Sequence, residues 1–155
     1  MALDDDIALL ARQPLLSLME RDALRLIAFA AESRILRAGD VLFRVGEPSD
    51  GAVLVISGAV ALNSREDGGP AEEIVGAGAL IGEMALFTSV ARPVTAIARE
   101  PTQVMRLSRS VMRRVLAESP ASAEAVAAAI SERLRGFVGQ LGAVQDALTA
   151  IDRTG

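Results

Sequence analysis

The sequence predicts an α+β fold: an antiparallel β-roll of the jelly-roll kind, preceded by short helices and followed by a long one. Three observations carry this. Apolar residues recur at helical spacing up to residue 31, fall into short runs broken by glycine from 33 to 108, and return to helical spacing from 110 onward. A chain of 155 residues with 51% hydrophobic content suits one domain, residues 1–155, with a real core.

The first zone, residues 1–32, reads as a helical preface. Leu15, Leu18, Met19, Leu24, Ile27 and Ala28 lie on one side of two short helices punctuated by Pro14 and by Glu20-Arg21-Asp22. In the second zone, residues 33–108, runs at 35–36, 41–43, 52–56, 59–62, 73–75, 94–98 and 104–107 read as strands. Glycines at 39, 46, 58, 68–69, 76, 78 and 82 separate them, as the corners of a small barrel require. The third zone, residues 109–155, starts with a helix over 111–117 that stops at Ser119-Pro120. A second helix restarts there, with proline in its first turn, and runs to about 152. Ile130, Leu134, Phe137, Leu141, Val144, Leu148 and Ile151 form a heptad seam on it, which points to a homodimer. Gly136, Gly139 and Gly142 each cost roughly 1 kcal/mol of helix propensity relative to alanine, so this helix needs something to pack on. The alternative is a helix folded back over its own domain, or broken near Gly136.

Composition removes whole classes of chemistry. All 16 basic residues are arginine, and there is no Lys, His, Cys, Trp or Tyr. Thiol catalysis, disulfides, His- or Cys-based metal and haem sites and histidine acid–base chemistry are therefore excluded, as is a cupin-type enzyme, whose catalytic metal needs histidine ligands. Paired carboxylates at Glu66 and Asp67, and at Glu72 and Glu73, flank a Gly-Gly turn and read as a solvated hairpin tip. No catalytic residue, metal site or cofactor is expected, so the chain is not read as an enzyme. A net charge of -4 and pI of about 4.9 argue against nucleic-acid binding. The apolar stretch at 7–16 follows Asp4, Asp5 and Asp6, the reverse of an export signal, and no run reaches the roughly 20 apolar residues of a membrane span. The expectation is a cytoplasmic protein with no membrane contact, and the alanine-rich, lysine-free composition reads as the coding bias of a GC-rich bacterial genome. The cluster Arg106, Arg109, Arg113 and Arg114 is either a solvated helix face or a contact for an acidic partner.

The informative segment is Gly82-Glu83-Met84-Ala85-Leu86, followed by Arg92-Pro93-Val94-Thr95-Ala96. Glycine lets a strand turn into a short helix whose first N–H groups favour an anion, and Arg92 adds a charged fork. Glu83 cannot serve an anion, so it would take a hydroxyl on the same ligand; a phosphate joined to a sugar diol fits. The other reading of the same residues is a Glu83–Arg92 salt bridge closing a loop.

Wider context extends the pattern: Arg37-Ala38-Gly39-Asp40-Val41-Leu42-Phe43-Arg44-Val45-Gly46-Glu47-Pro48-Ser49-Asp50, then 53–60, then Gly76-Ala77-Gly78-Ala79-Leu80-Ile81 entering Gly82-Glu83. Over about residues 14–135 the chain resembles the cyclic nucleotide-binding domain family. The resemblance implies that residues 82–96 are a phosphate-binding cassette, with Gly82, Glu83, Met84, Ala85, Leu86, Arg92, Pro93 and Val94 as its ligand-binding set. Within it, Glu83 and the Gly82 backbone would bind the ribose 2′-hydroxyl and Arg92 the cyclic phosphate. The N–H groups of Ala85 and of the residue after the arginine would complete the anion site, and the C-terminal helix would cover the base. Pro93 departs from the pattern because it has no N–H, a loss of roughly 0.5–1.5 kcal/mol. Nor can it play the part of the threonine that often follows the arginine in cGMP-preferring members, so cAMP is expected ahead of cGMP. Thr95 reads as a sheet residue, and Ser131, Arg133, Arg135 and Phe137 are the candidate base caps. With the chain ending at Gly155, no helix-turn-helix domain is expected. The leading reading is a non-catalytic cAMP sensor that signals through its C-terminal helices to an unknown effector protein. The alternative is a ligand-free dimeric interaction module whose cassette has drifted, as Pro93, Ala77 and Ala79 would suggest.

Overall fold

The computed structural model describes residues 2–65 and 69–154, with side chains at all of these but 2, 140, 141, 144, 145 and 150–154. Helix α1 (Ala2–Leu10), a 3-10 turn (Leu16–Leu18) and α2 (Arg21–Ala30) precede eight strands: β1 (Glu32–Leu36), β2 (Val41–Phe43), β3 (Gly51–Ser57), β4 (Ala59–Asn63), β5 (Glu73–Gly76), β6 (Leu80–Ile81), β7 (Thr95–Ala98) and β8 (Thr102–Ser108). Helices α3 (Arg109–Glu118) and α4 (Pro120–Thr154) follow. The strands form two antiparallel four-stranded sheets, ordered β1-β8-β3-β6 and β2-β7-β4-β5, the jelly-roll expected. Strand β6 was not anticipated; two residues are too few to show a period of two.

β3 explains how the layers stack. Its residues 51–55 are all buried, because Val53 and Val55 face the roll interior with Leu36, Phe43, Val60, Ala96 and Val104, while Ala52 and Leu54 face the helices. A strand buried on both faces reads as a continuous apolar run, as 52–56 does. Ile7, Leu10, Leu16, Leu24 and Ile27 close the helical side over Leu54, Met105 and Leu107, together with Met112, Val115 and Val126. Leu18, placed on the buried side by its spacing, is instead largely exposed, because its 3-10 turn does not keep the helical period.

The turn between β3 and β4 requires glycine. Gly58 has φ +94°, and a Cβ there would sit 2.6 Å from the Pro101 carbonyl oxygen and 2.7 Å from the Thr102 Cα. The restart at Pro120 is observed, with the Ser119 carbonyl accepting from Ala123 N–H. Helix α4 neither folds back nor breaks at Gly136. Its first turns anchor through buried Ser122 and Val126 and half-buried Ile130, and from 131 to 139 every residue is exposed. Of the seam, Leu134, Phe137 and Leu148 face outward, Ile130 packs on its own body, and the Leu141, Val144 and Ile151 side chains lie outside those described. Glu66, Asp67 and Gly68 also lie outside the described residues; Glu72 accepts a 2.7 Å bond from Ser64 Oγ. Among the described residues no helix is long and apolar enough to cross a membrane, and no group of three or more carboxylates could hold a metal ion.

Candidate functional site

The β6 strand ends at Gly82, which adopts φ +79° and turns the chain into a 3-10 helix, Glu83–Leu86. Glycine suits this position, because any other residue would be strained in the left-handed region and its Cβ, 2.8 Å from Arg92 Nη1, would push that side chain aside. The turn closes with Ala85 N–H donating to Gly82 O at 2.9 Å, so the Ala85 N–H expected to face an anion is engaged within the turn itself. The N–H groups of Glu83 and Met84 lead the helix and have no intrahelical acceptor. Below them the Ala85 and Leu86 side chains are buried, Leu86 in the helical core, whereas Met84 is partly exposed.

Arg92 is the unusual group of the molecule. Its side chain is only 6% exposed, its guanidinium stacks 4.2 Å from the centroid of the Phe43 ring, and Nη2 lies 3.7 Å from Asp50 Oδ1. Nη1, the nitrogen against Gly82, is buried and has no hydrogen-bond partner. Burial lowers the guanidinium pKa, and the charges of Arg106 and Arg109 add to that, while Asp50 and Glu47 oppose it. Asp50 is 83% exposed and also 3.9 Å from Arg106, so it compensates the buried charge only in part. An orphaned donor on a buried cation costs free energy that a bound anion would remove.

Arg92 and Gly82 line a cavity of about 260 Å³ whose apolar wall includes Leu62, Val75, Ala79 and Val94. Glu73 is its other charged side chain, and Pro93 lies at its exposed rim. A second cavity of about 240 Å³ lies on the Asp50 side of Arg92 and Phe43, bounded also by Arg34 and Arg106. Thr95 lies in β7, where its Oγ1 accepts from Val45 N–H at 2.9 Å.

Glu83 and Arg92 do not pair, which corrects the loop-closing alternative. The Glu83 carboxylate, 14% exposed, accepts the Leu15 N–H at 3.3 Å and lies 3.6 Å from Arg133 Nη2 of α4. Of the candidate base caps, Arg133 alone is tied to the cassette; Arg135 pairs with Glu132, and Ser131 and Phe137 are exposed. Sequence reasoning missed the parts played by Phe43 and Asp50, although both stand in the segment quoted for the resemblance. It also read Arg109 with a helix face. The structure instead turns this side chain inward: Nε donates to Ala85 O at 3.0 Å and Nη2 to Ser49 O.

Comparison with known proteins follows the same lines. Residues 33–119 match the family described as Cyclic nucleotide-binding domain. A lysophospholipase of Neurospora crassa is 32% identical over 114 residues, 72% of this chain and 8% of that protein. A cyclic nucleotide-gated potassium channel of Mesorhizobium japonicum is 32% identical over 116 residues, 75% of this chain and 31% of the channel. The chain thus spans well under two thirds of these relatives. Among solved structures, a cyclic nucleotide-binding-like protein from Brucella abortus superposes with a TM-score of 0.68 at 41% identity, covering 73% of this chain and 98% of its own.

Proposed function

The chain belongs to the cyclic nucleotide-binding domain family, and from that premise we propose that it is a non-catalytic cytoplasmic sensor of cAMP, with cGMP the weaker ligand. The observation that carries this reading is the buried, unpartnered Nη1 of Arg92, held against Gly82 where both residues line a largely apolar cavity. The cyclic phosphate would meet Arg92 and the leading N–H groups of the Glu83–Leu86 turn. The ribose hydroxyl would compete for Glu83, whose carboxylate accepts the Leu15 N–H and lies beside Arg133. Freed or re-aimed, Arg133 would shift α4, whose exposed Leu134, Phe137 and Leu148 offer a seam to a second copy of the chain and a changed surface to an effector protein. Such signalling requires that cAMP bind one arrangement of α4 more tightly than the other.

The test is calorimetric titration of cAMP and then cGMP, since a chain without Trp or Tyr is nearly silent in intrinsic fluorescence. Saturable cAMP binding is expected, with Arg92→Ala weakening it by roughly 1.5–3 kcal/mol, about ten- to a hundredfold. No heat with either nucleotide, in folded protein free of co-purified ligand, would leave the dimeric interaction module.

A further inference from the structure

One charged side chain of the Arg92 cavity takes no part in holding the anion site: Glu73 of β5. Strand pairing fixes where it stands. Phe43 opposes Ala96, Ala96 opposes Leu62, and Leu62 opposes Glu73, so these four residues form a single row across β2, β7, β4 and β5. Residues directly opposite one another in antiparallel strands share a face. Phe43 and Ala96 are buried in the roll interior and Leu62 packs against that cluster, so the whole row, Glu73 included, belongs to the inner face. The next residue, Ile74, accordingly points outward and is largely exposed. Arg92 stacks on Phe43, at the β2 end of the row. Glu73 is the β5 end, three strand spacings or roughly 14 Å away along the sheet. The charges that act on Arg92 are those of Asp50, Arg106, Arg109 and Glu47, and Glu73 is not among them. Among the described residues the Glu73 carboxylate has no ion pair or hydrogen bond, whereas its neighbour Glu72 is bonded to Ser64. An inward-facing, uncommitted acceptor thus shares a cavity with the phosphate-binding arginine and stands across the sheet from it.

We propose that Glu73 is a specificity-determining residue of this cavity, its carboxylate accepting a hydrogen bond from the 6-amino group of adenine and turning away the 6-carbonyl of guanine. The proposal rests on the sensor reading above and deepens it by naming the group that reads the base. With the phosphate at Arg92, the base of the same molecule is the part left to meet the other end of the row. An ionised carboxylate can only accept hydrogen bonds. Position 6 of adenine carries a donor and position 6 of guanine an acceptor, so the same side chain gains a bond with one base and faces lone-pair repulsion with the other. Pro93, which also lines the cavity, has no N–H to offer the guanine carbonyl in compensation. The two charges also orient the ligand, because the phosphate is drawn to Arg92 and repelled by Glu73.

The experiment titrates cAMP, cGMP and the 3′,5′-cyclic monophosphate of unsubstituted purine riboside, which lacks the amine, into wild type, Glu73→Gln and Glu73→Ala by calorimetry. Glutamine keeps the size and adds a donor, so it should accept either base. In Glu73→Gln the ratio of cAMP to cGMP affinity should fall by at least about threefold, the scale of one hydrogen bond. Removing the amine from the ligand should cost wild type at least about threefold and Glu73→Ala less than about twofold, because the two deletions remove the same bond. A residue of purely structural importance would weaken all three ligands alike and leave both comparisons unchanged. The inference is overturned if the ratio in Glu73→Gln moves by less than about threefold, if losing the amine costs Glu73→Ala as much as wild type, or if wild type prefers cGMP. Should Glu73→Ala not fold, the glutamine variant decides. Wild type that binds no nucleotide would sink the sensor reading and this inference with it, whereas wild type that binds cAMP beside a Glu73→Gln of unaltered selectivity would sink the inference alone.

Discussion

Glycine does opposite things in the two halves of this molecule. In the roll, Gly58 and Gly82 have positive φ and a Cβ at either would meet neighbouring atoms, backbone at Gly58 and the end of the Arg92 side chain at Gly82. In α4, Gly136, Gly139 and Gly142 sit in open space within a regular helix, where glycine serves no conformational need and lowers helix stability. The contrast teaches where the structure is over-determined and where it is marginal. At Gly58 and Gly82 the roll packs against the turn itself, whereas from 131 to 139 every residue of the long helix is exposed and Arg133 reaches back to Glu83.

Alanine at these positions separates the two regimes. Gly58→Ala should be the most damaging: the left-handed conformation costs about 1–2 kcal/mol, and the contacts at 2.6 and 2.7 Å are with backbone that cannot step aside. Chemical denaturation should show a loss of more than about 2 kcal/mol; a loss below 1 would mean the turn is looser than described. Gly82→Ala should cost only about 1–2 kcal/mol in stability, since the crowding atom is the end of a flexible side chain, yet it should weaken cAMP binding by displacing Arg92. Gly139→Ala should reverse the sign, adding up to about 1 kcal/mol to the helix, visible as greater helicity by circular dichroism with unchanged ligand affinity. If it instead lowered helicity, the distal helix would be contributing glycine to a close contact with a second copy.

The smallest effect expected lies in α1. Burial, together with the neighbouring charge of Asp5, raises the Asp6 pKa above its ordinary 3.8. A carboxyl with a raised folded pKa binds its proton more tightly when folded, so its contribution is most favourable below pH 3.8 and is lost as pH rises through the folded value. Asp6→Asn should therefore stabilise at pH 7, within about 0.5 kcal/mol, and make no difference at pH 3. Thermal melts at the two pH values check this; equal melting at both would place Asp6 in solvent.

Much of this architecture was legible in advance, and the reasons differ by residue. β3 announced itself because five consecutive buried positions leave an apolar run, and the start of α4 because proline is tolerated in a first helical turn. Gly82 and Arg92 were legible because a turn needing positive φ and a buried cation are both written in single residues. Glu83 was recognised as special, but its partners were not, since Leu15 lies 68 residues before it and Arg133 is on a helix of another zone. Arg109 looked like surface because three further arginines cluster around it in sequence; only its path between Ala85 and Ser49 takes it inside.

The sequence by itself determined the three zones, the antiparallel roll, the glycine-led turn and the arginine beside it, because periodicity and backbone permissiveness are properties of neighbouring residues. Only the tertiary structure decided that Asp50 and Phe43 hold Arg92, that Glu83 turns to Leu15 and Arg133, and that Arg109 turns inward to Ala85 and Ser49. Those pairings depend on how the strands register across two sheets and where the helices land on them, and closure of that kind is set by the whole chain at once.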